Sequence, residues 1–339
     1  MFKYVLKRML MVIPVMIGVS IIVFSLMRVF SPDPAPIVLG QHATQASITT
    51  WRQANGLDAP VVTQYFTYIG GALKGDLGVS YYTKSPAARE IGARFPATIE
   101  LALAAIIFAT ILGILLGVMA AVKKNSVFDA AGSLFALIGV SIPIFWLGIL
   151  FIMFFAGFLH LLPSGGRISV LLEPAHVTGF YMIDSAIQGN WDGFKDAFWH
   201  LLLPALTLGM YSMAIITRMT RSSMLETLGQ DYIRTARAKG ISETKVIGKH
   251  ALRNSLIPVT TVIGLQFGAL LGGALLTESV FSWPGIGKYT VDSILKSDFP
   301  VVQGIVLLVA VIFVTINLIA DLGYAFLDPR IKYSSKKEE

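Results

Sequence analysis

The residues best suited to a specific task are Asp231-Tyr-Ile-Arg-Thr-Ala-Arg-Ala-Lys-Gly240 and the run after them to Pro258. Their chemistry is docking, not bond making. Ala236, Arg237, Ala238 and Lys239 favour helix, and Gly240 supplies the left-handed residue that ends one cheaply. Ser242 is placed to cap a second helix, with Glu243 in its first turn where the dipole favours a carboxylate. Val246, Ile247 and Ala251 then share one face, while Lys245, Lys249 and Arg253 fall largely elsewhere. The pattern predicts a short helix–turn–helix standing out from a membrane and gripping a soluble partner. A solvated basic loop held at anionic headgroups is the plainer alternative.

Bond-making chemistry has no foothold in the sequence. There is no Gly-x-x-x-x-Gly-Lys-Ser/Thr phosphate loop, no His-Glu-x-x-His and no Gly-x-Ser-x-Gly elbow. Cysteine is absent, and His42, His160, His176, His200 and His250 are scattered without ligand spacing, so no metal site is read. Ser20, Ser25 and Ser141 have no histidine or carboxylate at obvious matching depth. No catalytic residue is assigned. An intramembrane hydrolase is the alternative from another class, and peptide cleavage by the chain alone in liposomes would reveal it. A secondary transporter would give ion-driven uptake without ATP, but the related halves it usually carries are not evident.

The elements around the docking segment are those of a polytopic membrane protein. Of 339 residues, 55% are hydrophobic and only 14% charged, far from the balance of a soluble chain. The sequence predicts an all-α protein with about six spans: Met9 to Phe30, Ile99 to Val122, Ala131 to Leu159, Leu201 to Ile216, Val259 to Thr277 and Val302 to Phe326. The net charge of +7 gathers in the loops between spans, the pattern of an orientation signal and not of nucleic-acid binding. It places Lys3, Lys7, Arg8, Lys123, Lys124, residues 218–257 and the tail from Arg330 in the cytoplasm, with both termini. The divisions expected are an anchor at 1–30, an external region at 31–98, a five-helix core at 99–326 and a tail at 327–339. The core includes an external loop at 160–199.

Within the first external region Val62, Tyr65, Phe66, Ile69 and Leu73 recur at helical spacing, predicting an amphipathic helix along the membrane surface. The second carries Glu173, Asp184, Asp192 and Asp196 against Arg167 and Lys195. Such a weakly acidic loop suits a cationic group of a substrate or binding protein, and orientation bias explains it equally well. Pro14 and Pro143 are expected to kink their spans. Gly264, Gly268, Gly272 and Gly273 would let a partner helix approach. Glu278 falls at the outer end of span five, where an ionisable group is expensive unless it faces water or a partner. It is a candidate for the translocation path, against a structural role fixing the turn Ser282-Trp-Pro-Gly-Ile-Gly287. Asn317 and Asp321, one helical turn apart on span six, are further path candidates.

Residues 231–258 resemble the coupling motif of importer-type ABC permeases, Glu-Ala-Ala, three residues, Gly, nine residues, Ile-x-Leu-Pro. Arg234-Thr235-Ala236 stand at the Glu-Ala-Ala, and Gly240 and Leu252 fit. His250 replaces the Ile and Arg253 the Pro, as in the peptide/nickel branch, which also resembles Met219-Thr-Arg-Ser-Ser-Met224, the Trp-Pro-Gly-x-Gly turn and Leu327-Asp-Pro-Arg-Ile331. Gly56-Leu57-Asp58 with Pro60 resembles that branch's first external loop. The resemblance implies a type I importer permease in a bacterial inner membrane, moving dipeptides or short peptides inward. Oligopeptides, glutathione, nickel chelates and oligosaccharides are the alternative substrates. It also implies a homologous second permease, two ATPase subunits that bind ATP and Mg, and a periplasmic solute-binding protein. The chain itself would hold no cofactor. Ala236, Gly240 and Leu252 would be the hinge and packing positions of the coupling helix, with Arg234 and Arg237 touching the ATPase.

Overall fold

The computed structural model describes residues 2–40 and 42–327. The expected tail beyond Leu327 and the side chains of Lys3, Lys7, Arg8 and Asp321 lie outside the described residues. Fifteen α-helices carry the described chain, and the only β pairing among these residues is an isolated bridge between Val79 and Pro86. α1 (Phe2–Val29) continues past Pro14, and the small helices α2 (Pro34–Leu39), α3 (Gln45–Ala54) and α4 (Val61–Ala72) follow. The middle of the chain is α5 (Ala87–Val122), α6 (Val127–Ser141), α7 (Ile144–Phe151), α8 (Tyr181–Ile187) and α9 (Trp191–Leu228). α10 (Asp231–Ala238), α11 (Glu243–Lys245), α12 (Leu252–Gly273), α13 (Leu275–Val280), α14 (Ile286–Leu295) and α15 (Phe299–Leu327) complete it.

Among the described residues five helices are long and apolar enough to cross a membrane, and α6 with α7 and the π-helical turn that continues it, Ile152–Phe158, makes a sixth crossing if the bent pair counts as one span. That pair bends by 108°, much more than the kink expected of Pro143, which begins a new helix instead of interrupting one. The other bounds also shift. The second span begins at Ala87, twelve residues before Ile99, because Pro96 is absorbed into the helix. α9 likewise extends well beyond Leu201–Ile216, starting where Asn190 accepts a hydrogen bond from the Gly193 N–H at 2.9 Å.

α5 and α9 form the centre. Two-thirds of the apolar window of α9 is buried, against 17% for that of α1. The seam between them rests on Gly113-Ile-Leu-Leu-Gly117. A Cβ at Gly117 would sit 2.6 Å from Thr220 Cβ, and one at Gly113 2.8 Å from Ile216 Cγ2. In lipid, where apolar surface gains little from association, such close backbone approach is what holds helices together. Leu101, Ala105, Leu208, Met213 and Ile216 fill the rest of this core. At one end the helices meet the basic segment around α10, and at the other the long loops. These are called below the basic end and the loop end.

α4 forms where the periodicity places it, with Val61, Val62, Phe66 and Leu73 exposed. Tyr65 turns inward: its hydroxyl meets Ser20 at 2.9 Å and its ring packs edge-on against Phe24.

Candidate functional site: a basic ledge and a welded turn

At the basic end α10 buries Ile233 and Ala236 and exposes Arg234, Arg237 and Lys239. Those two buried residues join Ala121 of α5, Met224 of α9, and Val246 and Ala251 in one apolar cluster, with Leu252 packed at its edge. Gly240 has φ +75°, the left-handed conformation that reverses the chain after α10, and its N–H donates to the Arg237 carbonyl at 2.9 Å. The turn is closed by Arg237, whose guanidinium reaches Glu243 at 2.6 and 3.0 Å. That pairing raises the Arg237 pKa above its ordinary value. Arg234 makes only a long contact to Asp231 at 3.3 Å and is 74% exposed, leaving its donors facing outward. Nearby, Arg221 clamps Asp129 with two bonds of 2.6 and 2.9 Å, fastening α9 to the start of α6.

The expected second helix differs in kind. Ser242 makes no side-chain cap, and Glu243–Lys245 passes through a π-helical turn, Val246–Ala251, directly into α12. The ledge and the fifth span are therefore one rod with a π-helical joint, a feature that recurs at functional sites. Asn254 of this rod donates to the Tyr232 hydroxyl of α10 at 2.8 Å, so α10 is strapped along it.

At the loop end Glu278 is fully buried. One carboxylate oxygen accepts from Thr98 Oγ1 at 2.6 Å and the other from the Lys288 N–H at 2.9 Å. Thr98 in turn accepts from the Ile286 N–H at 2.9 Å. Trp283 is 1% exposed, its indole donating to the Ala97 carbonyl at 2.9 Å. Glycine is required at Gly287, where a Cβ would lie 2.8 Å from the Leu275 Cα and 2.9 Å from Glu278 Oε2. The Trp-Pro-Gly-x-Gly turn is thus welded to α5, with Glu278 as the weld.

A second buried constellation has no counterpart in the sequence reading. Arg167, from the loop before α8, donates to Glu100 of α5 at 2.6 and 2.9 Å and to the Gly179 carbonyl at 2.7 Å, with the Tyr181 ring 3.9 Å from the guanidinium. Glu100 also accepts from the Met182 N–H at 3.0 Å. The available signal was Glu100 itself, a carboxylate one residue inside a predicted span. Beside it Asp184 is buried and takes bonds from the backbone N–H of Val177, Thr178 and Gly179 and from the Thr178 hydroxyl. Burial pushes its carboxyl up, but the four donors outweigh this and hold its pKa below the ordinary value.

The structure thus gathers Arg234, Ala236, Arg237, Gly240 and Leu252 on one ledge. It does not gather Glu278 and Asn317. Asn317 lies eighteen residues into α15, about 27 Å along that helix from its loop end. Its Oδ1 is 3.7 Å from the position a Cβ on Gly268 would take, in the seam between α15 and α12. Asp321 follows one turn later in the same helix.

A bundle of apolar helices that buries its polar fasteners and offers one basic ledge is a polytopic membrane protein with one surface suited to docking. Residues 113–333 match the family described as binding-protein-dependent transport system inner membrane component, and residues 1–102 match its N-terminal companion. The chain belongs to that family and is a multi-pass protein of the bacterial inner membrane. It is 47% identical to the dipeptide transport system permease protein of Escherichia coli (strain K12), over 98% of this chain and 99% of that one. It is 48% identical to the protein of that name from Alkalihalophilus pseudofirmus, over 98% and 100%. The glutathione transport system permease protein of Escherichia coli O6:H1 is 40% identical over 98% and 100%.

Proposed function

We propose that this chain is the permease subunit of an ATP-driven importer of dipeptides, carrying the membrane path but not the engine. The observation that carries the reading is the ledge: α10 and the Gly240 turn are packed onto a rod that continues into the fifth span. Likeness to two dipeptide permeases across the whole chain supplies the substrate class. On this reading the basic end is cytoplasmic, consistent with Lys123, Lys124, Arg218 and Arg221 there.

Two ATPase subunits grip the ledge, and ATP with Mg belongs to them. Arg234, 74% exposed, meets an ATPase carboxylate, while Arg237 braces the turn through Glu243. A homologous permease completes the path, and a periplasmic binding protein delivers peptide to the loop end. When the ATPases close, α10 is displaced with the rod it is strapped to, and the fifth span moves with it. Ala236 and Leu252 keep that motion rigid, and Gly240 sets its angle. Asn317 faces the neighbouring span and, with Asp321, tunes the path, whereas Glu278 holds the outer turn in shape.

The test is uptake of a labelled dipeptide by cells that lack their own dipeptide permease and express this chain with its neighbouring subunits. ATP-dependent accumulation is expected. Accumulation of glutathione but no dipeptide would move the substrate class, and uptake without any ATPase subunit would overturn the reading.

A further inference from the structure

Two small cavities, about 300 and 260 Å³, lie among α1, α4 and the start of α15 at the loop end. Arg28 and Gln64 line both. The larger is also lined by Tyr68 and Gln303. Each of these four side chains has a buried polar atom with no partner in the protein: Arg28 Nε, Gln64 Oε1, Tyr68 Oη and Gln303 Nε2. They are four of the eleven such atoms among the described residues, gathered at one place. Gln303 is only 3% exposed, so its amide is held at this wall and does not reach bulk water.

Arg28 sharpens the chemistry. Its guanidinium is cradled by the rings of Phe24 and Phe299 at 5.4 and 5.0 Å, and no carboxylate of the described residues lies within 4 Å. Of the carboxylates lining the two cavities, Asp33 is engaged by Arg52 at 3.0 Å and by the Ala35 N–H, and Asp76 accepts from the Gly78 N–H at 2.9 Å. A cation at the end of a membrane span, flanked by aromatic faces and lacking a counter-ion, calls for an anion. Gln64 calls for more. Its amide nitrogen is used on the Leu57 and Ala59 carbonyls at 3.0 and 2.7 Å, so its oxygen needs a donor. The ligand that satisfies both is an oxyanion with an ammonium or hydroxyl close by.

A peptide zwitterion and a phospholipid headgroup share that chemistry. The surroundings favour lipid. Arg28 is one residue from the end of the apolar stretch Leu10–Val29, the depth at which phosphates sit. Ile22 and Leu26 on α1 and Val62 and Phe66 on α4 expose apolar side chains on other faces of the same two helices, a surface for acyl chain and not for solvent. We propose that Arg28, with Gln64, Tyr68 and Gln303, forms a headgroup site for one phospholipid, the phosphate on Arg28 and the headgroup donor on Gln64. The lipid fastens α4 to α1 and α15. This holds whichever substrate the transporter carries.

The experiment places the assembled transporter in nanodiscs of mixed phosphatidylethanolamine and phosphatidylglycerol, then counts lipids retained by native mass spectrometry after stepwise delipidation. Wild type keeps one lipid more than Arg28→Gln, and Arg28→Lys keeps it in part. Gln303→Leu, which leaves the charge in place, weakens retention about fivefold or more. Equal retention in wild type, Arg28→Gln and Gln303→Leu overturns the proposal. So does displacement of the lipid by a saturating dipeptide, which assigns the site to peptide, or a cross-link from position 28 to a carboxylate of the second permease.

Discussion

Gly240 offers the sharpest test of the ledge, because its surroundings separate backbone strain from crowding. Nothing lies within 4 Å of a Cβ built there, so Gly240→Ala meets no steric obstacle. What it meets is φ +75°, and holding an L-residue with a Cβ in that region costs about 1–2 kcal/mol. Asn tolerates the region better and loses less. Pro is different in kind: its ring fixes φ near −65°, it removes the N–H that donates to Arg237 at 2.9 Å, and it disfavours the helical state of Lys239. The reversal after α10 then fails, and Ile233 and Ala236 cannot stay in the cluster with Val246 and Ala251. A penalty of 1–2 kcal/mol changes the population of the docked ledge by about 5–30-fold. The assay is peptide-stimulated ATP hydrolysis and uptake by the assembled transporter in proteoliposomes, with membrane insertion measured separately. Coupled uptake per ATP should fall in the order wild type, Asn, Ala, Pro, with insertion unchanged and hydrolysis uncoupled in Pro. If Pro matches wild type in both readouts, α10 is not a lever and the reasoning is wrong.

Three further outcomes follow from the same geometry. Glu278→Ala strands the Thr98 hydroxyl and the Lys288 N–H, a loss of about 2–4 kcal/mol that should lower thermal stability in detergent, with Thr98→Val losing less; unchanged melting of both would remove the weld. Gly117→Ala places its Cβ 2.6 Å from Thr220, forcing α5 and α9 apart at about 1–3 kcal/mol, whereas Gly273→Ala, with open space around it, should be nearly silent; equal effects would refute the seam. Asp184 has a folded pKa below its unfolded value, so the stability it lends is complete above pH about 4 and is lost as pH falls through the folded pKa. Proteolysis of residues 173–190 should accelerate on acidification in wild type but be pH-independent in Asp184→Asn, and a flat wild-type profile would count against the four-donor pocket.

Much of the skeleton was legible because bilayer thickness and lack of water leave few choices. Apolar runs near 20 residues, the α4 periodicity, and the basic run stopped by Gly240 each follow from local composition. The bounds were less legible. The second span was expected only from Ile99 and Pro143 to kink its span, yet α5 absorbs Pro96 and the chain breaks at Pro143, since neighbouring helices and not proline alone decide which. Glycine spacing drew attention to α12, where Gly273 has open space, and away from Gly113 and Gly117, where α9 approaches most closely. The fasteners are long range. Ser80 and Asp298 meet across 218 residues and Arg167 and Glu100 across 67, and no pattern in one sequence pairs them. Glu278 was found as a residue but its role turned on Thr98, 180 positions away.

The π-helical joint changes how the ledge must work. A separate second helix would let α10 shift while the span stayed still, absorbing the motion in a loop. Here Val246–Ala251 leads without interruption into Leu252–Gly273, so a push on α10 reaches the fifth span as a tilt or rotation. The far end of that rod leads through Ala274 into α13, which carries Glu278 and the welded turn. Because the weld ties this end to Thr98 of α5, the proposed coupling has the rod pivoted at the loop end and driven at the basic end. Movement is then largest near α10 and smallest near Glu278. Spin labels paired between α12 and α9 should report distance changes on ATP binding that shrink steadily from position 256 to position 271. A uniform shift along the rod would mean that the weld slides and that Glu278 travels with the span, returning it to the path.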